Sequence, residues 1–190
     1  MRAVRALLRE QEQAATGTGT GTGTETRTRW TVVSTGLFMS FLFLKEFGVV
    51  DLESRTVRGL GGWRNRVTVT SVEGIGRMVA EVVFGGEDEN EGIVYAAGDT
   101  LTYREVAEIV EKGFGGEWRK EEWDGQTLKR MLEERPGDVM VKYQNMFGAG
   151  AGVSWEMERT LNHKRGIKLP GLREYLEENK ERLLKEAGRG

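Results

Sequence analysis

At 190 residues the chain is long enough for one ordinary domain with a sizeable core. Its 28 basic and 30 acidic residues are interspersed and sum to −2, so no face announces nucleic acid or an anionic membrane. Cysteine is absent, which excludes disulfides, thiolate metal sites and a cysteine nucleophile; the longest apolar run, Leu37 to Leu44, falls far short of the roughly 20 residues a membrane span needs. The expectation is a soluble, cytoplasmic protein without nucleic-acid or membrane partners.

In chain order, Arg2, Arg5 and Arg9 share a helical pattern with Val4, Leu7 and Leu8. Glu10 and Glu12 argue against a transit peptide, so Met1–Ala15 is read as a structural helix. Thr16 to Thr26 alternates glycine and threonine, offers no apolar face and is expected to be a flexible low-complexity loop. Trp30 to Thr35 is a β-branched run suited to a strand buried on both faces, and Gly36 ends it. In an open parallel sheet the carboxyl ends of the strands form the ligand crevice, where a glycine permits close backbone approach. Leu37, Phe38, Met39, Phe41, Leu42 and Phe43 then form either an apolar wall for a ligand or plain core.

Phe47–Val50 and Thr56–Arg58 read as extended pieces around a polar turn, and Val67–Val69 as another strand. Thr70 with Glu73 predicts a capping box for a helix with Ile75, Met78, Val79, Val82 and Val83 on one face, up to Gly85-Gly86. Glu87–Glu91 is expected to be a solvated loop and no metal site. Ile93–Ala97 reads as an interior strand and Gly98–Thr100 as a turn; Thr102 with Glu105 predicts a second capping box. Asp99 is read as a turn former and cap, since no second carboxylate or histidine pairs with it by spacing.

Trp118 and Trp123 bracket a charged edge strand, Asp124 and Asp138 are helix caps, and Pro170 fits the first turn of a final helix. Met140, Tyr143 and Phe147 share one side of the helix opened by Asp138. Gly148-Ala149-Gly150-Ala151-Gly152 resembles a dinucleotide loop, but its third glycine comes one residue too early and a helix precedes it. The sole histidine, His163, lies beside a basic pair and reads as a surface residue.

The segments WTVVSTGLFMSFLF, FGVVDLESRTVRGLG, VTVTSVEGIGRMVAEVVF and IVYAAGDTLTYREVAEIVEK, in that order, resemble the later half of the NmrA-like and isoflavone-reductase-like proteins, atypical short-chain dehydrogenases/reductases. The resemblance runs from about Met1 to about Leu176. It implies an α/β fold: a partial Rossmann-type, doubly wound arrangement lacking its first strands, with substrate-side helices toward the C-terminus. The division it implies is residues 1–15 as a helix of the Rossmann portion, 16–29 as the Gly-Thr loop, 30–112 as the remaining core and 113–190 as the substrate-side helical portion.

By the same resemblance Ser34, Thr35 and Gly36 contact the nicotinamide end of NADP or NAD, with NADP favoured. Leu37, Phe38, Met39, Tyr143 and Phe147, with Met146, line the pocket of a small hydrophobic substrate. No catalytic residue maps onto the chain, because the glycine-rich turn and the lysine associated with catalysis match no position in it. The reading is part of an NAD(P)H-dependent oxidoreductase, not competent alone, with a non-catalytic dinucleotide-sensing regulator or an inactive remnant as alternatives. A central strand left at a sheet edge would also favour self-association through that edge.

Overall fold

In the computed structural model the described residues are 30–85 and 92–188. The expected helix at Met1–Ala15, the Gly-Thr loop and the acidic run Glu87–Glu91 lie outside them. The described chain is mixed α/β and forms three small sheets. Strand β1 (Thr31–Ser34) pairs in parallel with β6 (Gly92–Tyr95). Strand β2 (Leu37–Phe38) runs parallel to β5 (Arg66–Thr70), which is antiparallel to β7 (Asp99–Thr102). The third sheet joins β3 (Val50–Asp51), β4 (Thr56–Leu60) and β8 (Arg119–Trp123).

Helix α1 (Val72–Phe84) follows β5 directly. The expected box at Thr70 and Glu73 is displaced by one residue: β5 continues to Thr70, which is in register with Phe38, and Ser71 caps the helix by accepting from the Gly74 N–H at 3.0 Å. The Thr70 hydroxyl instead donates to the Thr35 carbonyl at 2.7 Å. The helix buries Gly74 and Met78, whereas Val79 and Val83 of the expected stripe are exposed.

Helix α2 (Tyr103–Phe114) carries the second capping box as read, with Thr102 Oγ1 accepting from Glu105 N–H and Glu105 Oε2 from Thr102 N–H. Asp124 and Asp138 cap α3 (Gly125–Glu134) and α4 (Val139–Gly148). A short α5 (Leu161–Lys164) precedes α6 (Leu172–Ala187). The last helix opens after Pro170, with Gly171 at its N-cap, so the proline lies outside the first turn. Residues 99–100, expected as turn, belong to β7 because Asp99 pairs with Val69.

The core gathers Met39, Leu42 and Phe47 from the segment after β2, Leu60 from β4, Val106 and Val110 from α2, and Leu172 and Leu176 from α6. Packing of the α2 face against the sheets and α6 removes these side chains from water, the main source of stabilisation. Asn65 ties the glycine-rich stretch to this core: its Nδ2 donates to the carbonyls of Leu60, Phe147 and Gly148. Gly61 packs on the Gly148 carbonyl and Gly150 on the Asn65 side chain, both at positive φ. Of the alternating glycines, Gly150 packs on this amide and Gly148 on the Leu128 side chain, whereas Gly152 faces open space.

Tyr103 enters the core fully buried, and its hydroxyl has no hydrogen-bond partner among the described residues. Burial pushes its phenol pKa upward. Removing an unpaired buried hydroxyl while keeping the ring is close to neutral or stabilising. Tyr103→Phe is thus expected to hold or raise stability by up to about 1 kcal/mol in urea unfolding; a loss of that size would mean the hydroxyl is satisfied.

Candidate functional site

The chain leaves β1 at Ser34, whose carbonyl accepts from the Ala96 N–H at 2.9 Å, and crosses to β2 through Thr35 and Gly36. The crossover works only with glycine at position 36. Its φ is +69°, and a Cβ there would lie well inside 3.0 Å of the Thr68 carbonyl oxygen. The close approach foreseen for Gly36 is thus made by the protein's own backbone. The Ser34 and Thr35 side chains are half-buried, and neither hydroxyl has a hydrogen-bond partner among the described residues. These hydroxyls, at the carboxyl end of a parallel strand and partly open to solvent, can donate to or accept from a polar group.

Beyond Gly36 the apolar residues separate into two sets. Leu37, Met39 and Phe147 are buried in the core, at 4%, 0% and 4% exposure, while Phe38 and Tyr143 are each 42% exposed. Strand alternation at Leu37–Phe38 turns one side chain in and the next out. The 3₁₀ turn Met39–Phe43 then buries Met39 and Leu42.

Phe41 connects the exposed and buried sets by edge-to-face contacts. Its ring centroid is 5.9 Å from Phe38, 6.4 Å from Tyr143 and 6.2 Å from Phe47, which in turn lies 6.1 Å from Phe147. Helix α4 is fixed beneath by Gln144, whose Nε2 donates to the Phe47 carbonyl at 3.0 Å. The structure thus brings Phe38, Tyr143 and Phe147 together through Phe41 and Phe47. Met146, on the same helix as Tyr143, is 46% exposed.

None of the residues Ser34 to Met39 is ionisable. What this arrangement offers is two hydroxyls and an apolar, aromatic surface, suited to holding and orienting a ligand rather than to moving protons. Among the described residues no group of three His, Asp or Glu side chains could hold a metal ion, and no helix is long and apolar enough to cross a membrane.

Sequence reasoning underrated Thr70 and Asp99. Thr70 holds the Thr35 carbonyl, and Asp99, read as a turn former and cap, is half-buried with one carboxylate oxygen accepting from the Leu172 N–H, at the start of α6, at 2.7 Å. Burial raises its pKa, opposed by the Leu172 bond. Both partners are distant in sequence, so no local pattern carried the signal.

The NmrA-like family profile matches residues 25–176. An NmrA-like family domain-containing oxidoreductase of Gibberella moniliformis is 49% identical over 150 residues, covering 78% of this chain and 49% of that protein. The chain thus spans about half the length of the curated relative it matches. Among solved structures, a nucleoside-diphosphate-sugar epimerase from Staphylococcus aureus superposes with a TM-score of 0.59 at 19% identity, over 78% of this chain and 52% of its own. An NADPH-dependent quinone oxidoreductase from Escherichia coli gives 0.53 at 18% identity, over 80% and 53%. At such identities the likeness is one of fold, the Rossmann-like α/β arrangement. The sequence match extends over most of the chain and includes the whole crossover from β1 to β2, so the chain belongs to the NmrA-like family.

Proposed function

We propose that this chain supplies the nicotinamide-side and substrate-side portion of an NAD(P)H-dependent oxidoreductase that acts on a small hydrophobic organic molecule. The observation that carries the reading is the junction at Gly36, where the half-buried Ser34 and Thr35 lead along the chain into the exposed Phe38, in a relative of a protein named as an oxidoreductase. In this reading Ser34, Thr35 and Gly36 face the polar end of the nicotinamide. Phe38 and Tyr143 receive the substrate, with Phe41 behind them, while Leu37, Met39 and Phe147 hold that surface in place from the core. The cofactor would supply hydride. The residues named here bind and orient, and no proton-transfer role is assigned to them.

A second reading, a dinucleotide-sensing regulator without turnover, is favoured by the lack of any ionisable side chain between Ser34 and Met39. One experiment separates the two. In the polypeptide as its own cells produce it, NADPH oxidation is followed with an apolar quinone or enone, alongside the Phe38→Ala/Tyr143→Ala double variant. Loss of roughly 1–2 kcal/mol of apolar contact predicts a rise in KM of about tenfold, with kcat little changed. Dinucleotide binding without oxidation of NADPH by any such acceptor would favour the regulator. Turnover unaffected by the double variant would remove Phe38 and Tyr143 from the substrate surface.

A further inference from the structure

A groove of about 450 Å³ lies between the Gly98-Asp99 segment, the short helix α5 with the loop after it, and the first turn of α6. Its walls include Met157, Ile167 and Leu169, which are apolar, and Asp99, Glu174 and His163, which are not. The side near β6 is firmly built. Asn162, only 3% exposed, accepts from the Ala97 N–H and donates to the Ala97 carbonyl, both at 3.1 Å.

Two carboxylates line this groove, and they differ in what they already hold. Glu174 accepts from the Gly171 N–H at 3.2 Å and lies 3.7 Å from the Lys168 ammonium. Asp99 forms no ion pair among the described residues. One of its oxygens, Oδ2, is engaged by the Leu172 N–H, and Oδ1 has no hydrogen-bond partner there. A half-buried carboxylate beside apolar walls, with Arg173 near but no cation among the described residues in ion-pair contact, leaves room for an opposite charge, because burying a charge is costly unless one meets it.

We propose that this groove binds an organic ammonium ion, with its N–H donors on Asp99 Oδ1 and its hydrocarbon stem along Met157, Ile167 and Leu169. A phosphate or carboxylate ligand would meet Asp99 and Glu174 and be repelled. An alcohol of the same shape would fill the apolar part but leave the charge uncompensated.

The arrangement fixes a pH dependence. Burial raises the Asp99 pKa and the carboxylates of Glu174 and Glu105 add to this, while the Leu172 N–H and the Arg173 guanidinium oppose it. A proton on Asp99 competes with the ammonium ion, so affinity falls as pH is lowered through the raised range of this carboxyl. Lys168 and His163 also line the groove.

The test is calorimetric titration of the full chain with butylammonium and phenethylammonium chloride, and with 1-butanol and 2-phenylethanol as uncharged matches. The ammonium ions are expected to bind at least about tenfold more tightly than the alcohols. Asp99→Asn keeps a side-chain carbonyl for the Leu172 N–H while removing the charge, and should weaken ammonium binding about tenfold or more with little effect on the alcohols. Amide shifts in the NMR spectrum should cluster at residues 98–99 and 162–171. Equal affinity for ammonium and alcohol, no binding of either, undiminished binding to Asp99→Asn, or shifts confined elsewhere would each overturn the proposal. If Asp99→Asn melts early, the ammonium-to-alcohol comparison on the unsubstituted chain decides alone.

Discussion

Alanine at Gly36 is expected to destabilise the protein by about 3 kcal/mol or more, seen as a lower urea midpoint with an unchanged slope. Two independent penalties add. A non-glycine residue at φ +69° sits in a sparsely populated region, at about 1 kcal/mol or more. The new methyl group must also displace the Thr68 carbonyl oxygen, and overpacking of this kind typically adds about 1–3 kcal/mol. Thr68 cannot easily withdraw. Its N–H donates to Val153, and its hydroxyl meets Thr100 at 2.7 Å and accepts from the Trp155 N–H.

Gly76→Ala serves as the control, because that position on α1 faces open space and alanine favours the helix by about 0.5–1 kcal/mol. A Gly36→Ala variant as stable as the parent would mean that the β1–β2 crossover can slide away from Thr68. The rigid junction invoked for the ligand site would then be lost.

The second large effect is expected at Asn65. Its Nδ2 reaches Leu60 O at 2.8 Å, Phe147 O at 2.9 Å and Gly148 O at 3.2 Å, and its Oδ1 accepts from the Arg66 N–H at 3.1 Å. Asn65→Ala leaves these part-buried backbone groups without their partner and opens space beneath Gly150, together about 3 kcal/mol. Asn65→Asp should be at least as damaging, since it directs a carboxylate oxygen toward three carbonyls. Thermal or urea unfolding of the two variants checks this. If Asp is tolerated as well as Asn, the amide does not hold the turn together.

These two positions mark where the sequence was hardest to read. Capping by Thr102, Asp124 and Asp138 was legible because each cap acts within three residues. The strands around Val32, Val57, Val67 and Val94 were legible from β-branched runs between turn residues. At Thr70 local pattern failed, because pairing with Phe38 extended the strand and passed the cap to Ser71. For Asp99 the turn reading failed because pairing with Val69 places it in β7, and the helix end its carboxylate meets, on α6, is 73 residues away.

At the candidate site, the run Leu37–Phe43 identified an apolar region without sorting its members. Only the short strand followed by a 3₁₀ turn decides that Phe38 faces outward while Leu37 and Met39 face the core. The glycines of 148–152 could be rejected as a phosphate loop from spacing alone. The close contacts of Gly148 with Leu128 and of Gly150 with Asn65 were not readable, because both partners lie outside this stretch, twenty and eighty-five residues earlier.

The parallel pairings β1–β6 and β4–β8 each join residues about sixty positions apart. Neither can form until a long stretch of chain has closed on itself, so the entropy of closure comes before any return in sheet hydrogen bonds. The helices α2 and α3, capped by neighbours three residues away, face no such delay. Refolding should therefore be slow for a chain of this size, with helical signal rising before the sheets assemble. During that interval the β-branched edges of β1 and β4 are exposed to other unfolded copies.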